Sequence, residues 1–182
     1  DLYRQALNIA SGRNINDPLD GNPNSYTRNV GDGGLGARAD AGFLYLQQYA
    51  YVEQAHVDFL NNTIPALGGT PVGRNPGGYQ ADFGNDLESI LTVIRTLEEE
   101  GVRAYLGAAG FLSALPLIQT AGTIYSTEAR HSAALNYVLG LPTGPQRMSG
   151  DMSVVDNPPA QNTFEYFRTP SQVVQDIQPF LA

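Results

Sequence analysis

Three long segments of the chain repeat apolar residues at spacings of three and four, and this pattern constrains the fold more than any other feature. The segments cover about residues 40–62, 85–108 and 116–140. Such a spacing places side chains on one face of an α-helix, and that face turns toward a core. The stretches between them are rich in Gly, Asn, Asp and Pro, and no stretch carries a convincing strand pattern. The sequence therefore predicts an all-α fold with long loops.

Two shorter helices are predicted near the ends of the chain. The first, in "DLYRQALNIASG", ends at Gly12, and the last begins in "TPSQVVQDIQPFLA", with Thr169 as its cap and Pro170 at its first position. The apolar face of the last helix would consist of Val173, Val174, Ile177 and Leu181. Either Asn85 or Asp86 is expected to cap the helix that covers residues 85–108. The first helix is short beside its neighbours, so we expect residues to be missing upstream of it.

The loop over residues 13–38 is long for a compact domain, and loops of this length tend to be functional or mobile. Its segment "DPLDGNPN" bears a weak likeness to a calcium-binding loop. However, the spacing of the acidic residues does not fit, and no Glu closes the segment. The loop is therefore not interpreted as a calcium site.

Composition excludes several classes of function. A net charge of −8 disfavours binding to nucleic acid, because phosphates attract basic surfaces. No run approaches 18 apolar residues, so no membrane span is expected. The chain contains no cysteine, which rules out disulfides, thiolate metal sites and cysteine nucleophiles.

Each of the three long apolar stripes is interrupted at its centre by ionisable residues. The interruptions are Glu53 and His56 in the first helix, Glu98 in the second, and Glu128 and His131 in the third. The chain has two histidines, and both follow a glutamate by three residues, a spacing that puts both side chains on one helix face. The sequence therefore predicts that acidic groups and imidazoles enter the core together.

Three buried carboxylates facing one another would repel, and they stay ionised together only if cations lie between them. Two divalent metal ions would answer this problem, with the carboxylates bridging or chelating and each imidazole giving one nitrogen. Oxygen and nitrogen ligands favour iron or manganese, with zinc as the common substitute. Iron is the expected metal. The predicted ligands are Glu53, His56, Glu98, Glu128 and His131.

A simpler interpretation stays open for each Glu-x-x-His pair, because residues three apart on a helix also form ordinary surface ion pairs. Glu99 and Glu100 fall off the apolar stripe and are expected to face solvent. Three tyrosines lie near the predicted site, and they are interpreted as core residues whose hydroxyls bond to carboxylates, with a redox role as the alternative. These are Tyr49, Tyr105 and Tyr125.

The motifs "YVEQAHVDFLNNTI", "LEEEGVRAYLGAA" and "STEARHSAALNYVLG" resemble helices of the ferritin-like family that includes the plant and bacterial desiccation-related proteins. The resemblance covers most of the chain from Leu2 onward. It implies a ferritin-like four-helix bundle, residues 1–182 as one domain, and a di-iron carboxylate site of two Glu-x-x-His helices and further glutamates. In that family the first helix supplies another glutamate, just upstream of the segment resembling "DLYRQAL".

Two functions follow from the resemblance. The first is a di-metal protein that oxidises iron or removes peroxide in stress protection. The second is a structural or stress-protective protein of the cell envelope, on the same bundle but without turnover. Expected partners are metal ions, with a second copy of the chain or an envelope protein as further candidates. The resemblance and the lack of cysteine favour export to the periplasm, envelope or exterior, and whether the chain is an enzyme is left open.

Overall fold

The computed structural model describes residues 1–144, 165 and 167–182, and its regular secondary structure is helical. The five α-helices are α1 (Leu2–Ala10), α2 (Ala39–Ala66), α3 (Leu87–Ala108), α4 (Leu115–Val138) and α5 (Pro170–Ile177). Short 3₁₀ turns cover Pro23–Ser25, Gly36–Arg38, Ala109–Phe111 and Gln178–Phe180. Within those described ranges there is no β-strand, and only two isolated bridges occur. The prediction of an all-α fold is confirmed.

The described residues form two compact units. The first contains Asp1–Ile94 and Pro179–Ala182, and the second contains the described part of Arg95–Gln178. None of the helices in the described ranges is long and apolar enough to cross a membrane. Residues 145–164 and 166 lie outside the described residues.

The ends of the helices follow the signals in the sequence. Helix α1 is followed by Gly12, whose φ of 68° is a conformation that glycine adopts without the penalty of a side chain. Asp86 precedes α3 and accepts a hydrogen bond from the backbone N–H of Ser89 at 2.8 Å, as a capping residue does. Helix α5 begins with a capping box in which Thr169 and Gln172 each bond to the other's backbone. Asp86, rather than Asn85, is therefore the cap of α3.

In the first unit, α1 packs against α2, and the loop over residues 13–38 is bonded to α2. Gln47 of α2 donates to the carbonyl of Tyr26 at 3.0 Å, and the hydroxyl of Tyr51 donates to the carbonyl of Asp20 at 2.6 Å. The guanidinium of Arg13 lies 4.1 Å from the centre of the Tyr26 ring. These contacts give the loop a defined position against the helix.

Helix α2 is longer than predicted and its second half is less buried. It extends beyond residue 62 to Ala66 and includes Pro65, which has no N–H to donate to the carbonyl of Asn61 four residues earlier. Buried residues occupy its first half, up to Ala50. Leu60 and Thr63, which continue the apolar stripe, are only partly buried, and Val57 and Phe59 nearby are about half exposed. The apolar stripe of α2 is therefore fully covered only in its first half.

In the second unit, most of the α4 stripe is buried, as its spacing predicts, whereas Tyr105 and Ala108 of the α3 stripe are only partly buried. Val102 of α3 and Ile124, Leu135 and Val138 of α4 are all almost completely covered. The short helix α5 differs from expectation because Val174 is 54% exposed. The other residues of its predicted apolar face, Val173, Ile177 and Leu181, are half-buried, so this face is only partly covered.

Candidate metal centre

Helices α3 and α4 carry three of the predicted ligands into the interior of the second unit. Glu98 continues the α3 stripe one turn after Ile94, and its exposed fraction is 0%. Glu128 and His131 continue the stripe of α4 after Ile124, and they are 3% and 7% exposed. Ionisable side chains are seldom buried to this degree without a partner or a metal ion. Their burial excludes the simpler interpretation of Glu128 and His131 as a surface pair.

The three side chains also converge. His131 Nδ1 lies 3.2 Å from Glu98 Oε2, although the two residues are 33 positions apart in the chain. One ligand atom from each of Glu98, Glu128 and His131 lies within 4.8 Å of the others. A neutral imidazole has one N–H and one nitrogen lone pair, so His131 is able to bond to a carboxylate and still offer a lone pair.

The charges of Glu98, Glu128 and His131 do not cancel one another. Two ionised carboxylates carry two negative charges, and the imidazole of His131 offsets at most one of them. Removing such charges from water is costly unless cations or protons compensate. A divalent cation held by two carboxylates and one imidazole would provide that compensation.

The chemistry of this donor set fits a transition metal. Carboxylate oxygen and imidazole nitrogen are the ligands that iron, manganese and zinc share, whereas calcium and magnesium are bound by oxygen alone. Glu98, Glu128 and His131 could therefore hold a metal ion.

The other two predicted ligands, Glu53 and His56, lie in the first unit on consecutive turns of α2. His56 Nδ1 is 3.4 Å from Glu53 Oε1, and each side chain is about one-fifth exposed. The spacing of three thus brings the two side chains together on one face of the helix, as the Glu-x-x-His motif predicts.

Glu99 corrects an expectation from the sequence, because it does not face solvent. It is 6% exposed, and its carboxylate accepts hydrogen bonds from Arg103 Nη2 at 3.0 Å and Asn136 Nδ2 at 3.2 Å. The hydroxyl of Ser132 donates to the same carboxylate, and Arg95 Nε donates to Asn136 Oδ1. Glu99 therefore belongs to a polar network that joins α3 to α4 beside the candidate ligands.

Glu100, also expected to face solvent, is half-buried. The pKa of its carboxyl is raised to about 7, mainly by burial and also by the negative charge of Asp176, while Arg103 and Arg168 act in the opposite direction. The periodicity of α3 did not reveal either burial. The spacing of four between Arg95, Glu99 and Arg103 was the available signal, because it predicts ion pairs along one helix face.

The three tyrosines near the predicted site occupy different environments. Tyr49 is 5% exposed, and its ring stacks on that of Tyr45 with the ring centres 5.8 Å apart. Tyr105 is half-buried. Tyr125 is half-buried too, and burial and the charge of Glu165 raise the pKa of its hydroxyl. Tyr49 is therefore a core residue, whereas Tyr105 and Tyr125 are only partly buried.

Comparison with protein families gives one match that covers most of the chain. A family model described as "Ferritin-like domain" matches residues 2–141. The chain belongs to the ferritin-like family. The match includes all three helices that carry the predicted ligands, and it agrees with the helical fold. A search of curated proteins finds no significant match to this ferritin-like chain.

Proposed function

We propose that this ferritin-like protein holds metal ions in its helical core and uses them to oxidise iron or to remove peroxide. One observation carries the proposal, namely the burial of Glu98, Glu128 and His131 with ligand atoms within 4.8 Å of one another. Two carboxylates and one imidazole would be a costly set to bury for packing alone. A bound metal ion would compensate their charges and so explain why these residues are buried together.

Glu53 and His56 would complete the ligand set. Glu53 interrupts the apolar stripe of α2 in the same way as Glu98 and Glu128 interrupt those of α3 and α4. The side chain of His56 lies beside that of Glu53, in the same Glu-x-x-His pattern as Glu128 and His131. Two such motifs together with further glutamates form the di-metal pattern of ferritin-like proteins. The five residues are proposed as ligands for two ions.

Iron is the proposed metal, with manganese or zinc as alternatives, and iron or manganese bound there would supply the redox chemistry. The chain itself would supply ligands, shielding and orientation. The apolar residues Ile94, Ile124 and Leu135 are all buried on the helices that bear the ligands, which limits the access of water. The contact between His131 Nδ1 and Glu98 Oε2 would fix the orientation of the imidazole ring. Ferrous iron or peroxide would be the substrate.

The alternative function is a structural or stress-protective protein of the cell envelope, in which the same residues bind metal only for stability or bind none. No contact in the described residues favours it over the redox function. Export, and membership of the desiccation-related group, stay predictions from the sequence resemblance.

The two functions differ in measurable properties. Protein purified without chelators would be assayed for bound iron, manganese and zinc, and the metal-free protein would then be titrated with ferrous iron under anaerobic conditions. Addition of oxygen or peroxide should oxidise the iron faster than it is oxidised in buffer. Glu98→Gln should abolish tight binding and oxidation, whereas Asp58→Asn, which removes an exposed carboxylate on α2, should change neither. Tight binding without oxidation would favour the structural alternative, and no binding would overturn the metal proposal.

A further inference from the structure

Gly101 occupies a position in α3 where glycine is not needed for the backbone. It lies in the interior of the helix, three residues after Glu98, and it is not among the glycines with positive φ. Glycine is one of the least favourable residues inside a helix, because it gains no side-chain contacts and loses the most conformational freedom. Backbone geometry therefore does not explain why position 101 is a glycine.

The space around Gly101 supplies that reason. A Cβ atom built on this residue would lie 3.0 Å from Glu128 Oε2, 3.3 Å from Glu128 Cδ and 3.4 Å from Glu128 Cγ. All three distances are at or below the lower limit of ordinary van der Waals contact for a methyl group. A side chain at position 101 would therefore be too close to the carboxylate of Glu128, which would have to shift by a few tenths of an ångström.

Two other helical glycines of the second unit show that this arrangement is specific. A Cβ on Gly122 of α4 would meet nothing within 4 Å. A Cβ on Gly107 of α3 would collide with the backbone carbonyl of Arg168. Glycine at position 107 therefore allows the segment that contains Arg168 to lie close to α3. By contrast, the atoms closest to the missing side chain of Gly101 all belong to one candidate metal ligand.

We propose that Gly101 is a positioning residue of the metal centre. By leaving the space of a methyl group empty, it allows the carboxylate of Glu128 to lie against α3, where it shares its surroundings with Glu98 and His131. The inference rests on the proposed metal binding. It adds that the position of Glu128 is set by a residue that has no ligand atom of its own.

Gly101→Ala and Gly122→Ala form a matched pair of variants for the test. Both add one methyl group inside a helix and both raise helix propensity, but only the first crowds Glu128. Titration of the metal-free proteins with Mn²⁺, followed by calorimetry, should give a dissociation constant about tenfold or more weaker for Gly101→Ala, as for other losses of ligand support. Gly122→Ala should bind Mn²⁺ as the parent does.

Glu128→Asp makes the test specific for the contact. Aspartate is one methylene shorter, so its carboxylate would withdraw from the new methyl group. Glu128→Asp should weaken Mn²⁺ binding in the parent, but in the Gly101→Ala background it should weaken binding less or restore part of it. Such non-additivity is the expected sign of a direct interaction between two positions. A simple sum of the two single effects would overturn the inference.

The remaining possible outcomes also support or overturn the inference. If Gly101→Ala does not fold, Gly101→Ala with Glu128→Ala should fold again because the crowded carboxylate is gone, and continued misfolding would overturn the inference. If the parent binds Mn²⁺ and Gly101→Ala binds it equally well, the inference fails while the proposed function stands. If the parent binds neither Mn²⁺ nor ferrous iron, both fail.

Discussion

Glu98 Oε2 lies 3.2 Å from His131 Nδ1, in a part of the second unit where both side chains are buried. Glu98 interrupts the apolar stripe of α3, and His131 interrupts that of α4, so the two interruptions occur at one level of the packed helices. Glu99 and Ser132, the next residues on each helix, make a parallel contact. The two helices thus share two adjacent polar contacts, one within the candidate ligand set and one outside it.

Replacement of Glu128 by alanine should have opposite effects with and without metal. The change removes a ligand, so it should abolish most of the stabilisation that metal gives the folded protein, which is about 2.7 kcal/mol at a metal concentration of 100 times the dissociation constant. Without metal, the stability should be unchanged or should rise, because one buried negative charge has gone. Thermal unfolding of both forms, with and without Mn²⁺, provides the measurement.

Asp58→Asn is the control for the Glu128 variant, since it removes a carboxylate that is exposed on α2. It should leave the melting temperature nearly unchanged under both conditions. If the parent and Glu128→Ala melt alike with and without metal, Glu128 is not a ligand.

Glu99→Gln should destabilise the protein whether or not metal is present. The side chains of Glu99 and Arg103 are 7% and 6% exposed, and the change leaves the guanidinium buried without its carboxylate. Breaking a buried pair in this way costs about 3–5 kcal/mol. Urea unfolding of the metal-free protein should show the loss, and Arg103→Met in the same chain should recover part of it. A loss seen only in the presence of metal would instead assign Glu99 to the ligand set.

The helices and the buried candidate ligands were largely predictable because they depend on local periodicity. Glu98, Glu128 and His131 lie where the apolar stripes of α3 and α4 would otherwise place apolar residues, and most of the α4 stripe and the first half of the α3 stripe are buried as expected. The caps were predictable for the same reason, since Asp86 and Thr169 act on residues three positions further along the chain. Local spacing was therefore enough to predict most of the fold and the residues at the centre of the site.

The environments of Glu99 and Gly101 depend on contacts that no local pattern contains. Glu99 is one position away from the stripe, but Ser132 and Asn136 reach it from a helix more than 30 residues later. In the sequence, Gly101 is simply a residue that is unfavourable inside a helix, and only the structure shows that the Glu128 carboxylate lies beside it. The surroundings of Glu99 and Gly101 depend on which residues of α3 and α4 lie opposite one another. A single sequence does not specify that alignment.

The capping residue Asp86 gives the protein a defined response to acid. Hydrogen bonds from the backbone and the side chain of Ser89 lower the pKa of the Asp86 carboxyl in the folded state from its ordinary value of 3.8. The stabilisation is therefore fully present above that ordinary pKa, and it is lost as the pH falls through the lower pKa of the folded state. Asp86→Ala should cost about 1 kcal/mol at neutral pH and progressively less in acid.

Asp86→Asn separates the charge from the hydrogen bond, because asparagine caps helices about as well as aspartate. Its stability should depend less on pH than that of the parent over the acid range, when measured by urea unfolding at several pH values. A constant difference between the parent and Asp86→Ala at every pH would mean that the carboxylate charge contributes nothing to the cap.

Gly107→Ala should detach the segment over residues 167–178 from α3. The backbone N–H of Arg168 donates to the carbonyl of Arg103 at 3.0 Å, and a methyl group on Gly107 would overlap the carbonyl of Arg168. Neither backbone can yield easily, so the bond should break and the segment that begins at residue 167 should separate from α3, while α5 keeps its internal capping box. Hydrogen exchange followed by mass spectrometry should show faster deuterium uptake in peptides covering residues 167–178, with little change in α4. Gly122→Ala, which adds the same methyl group in open space, should leave the uptake of both regions unchanged. If the protection of residues 167–178 survives in Gly107→Ala, the close approach at Gly107 is not what holds this segment in place.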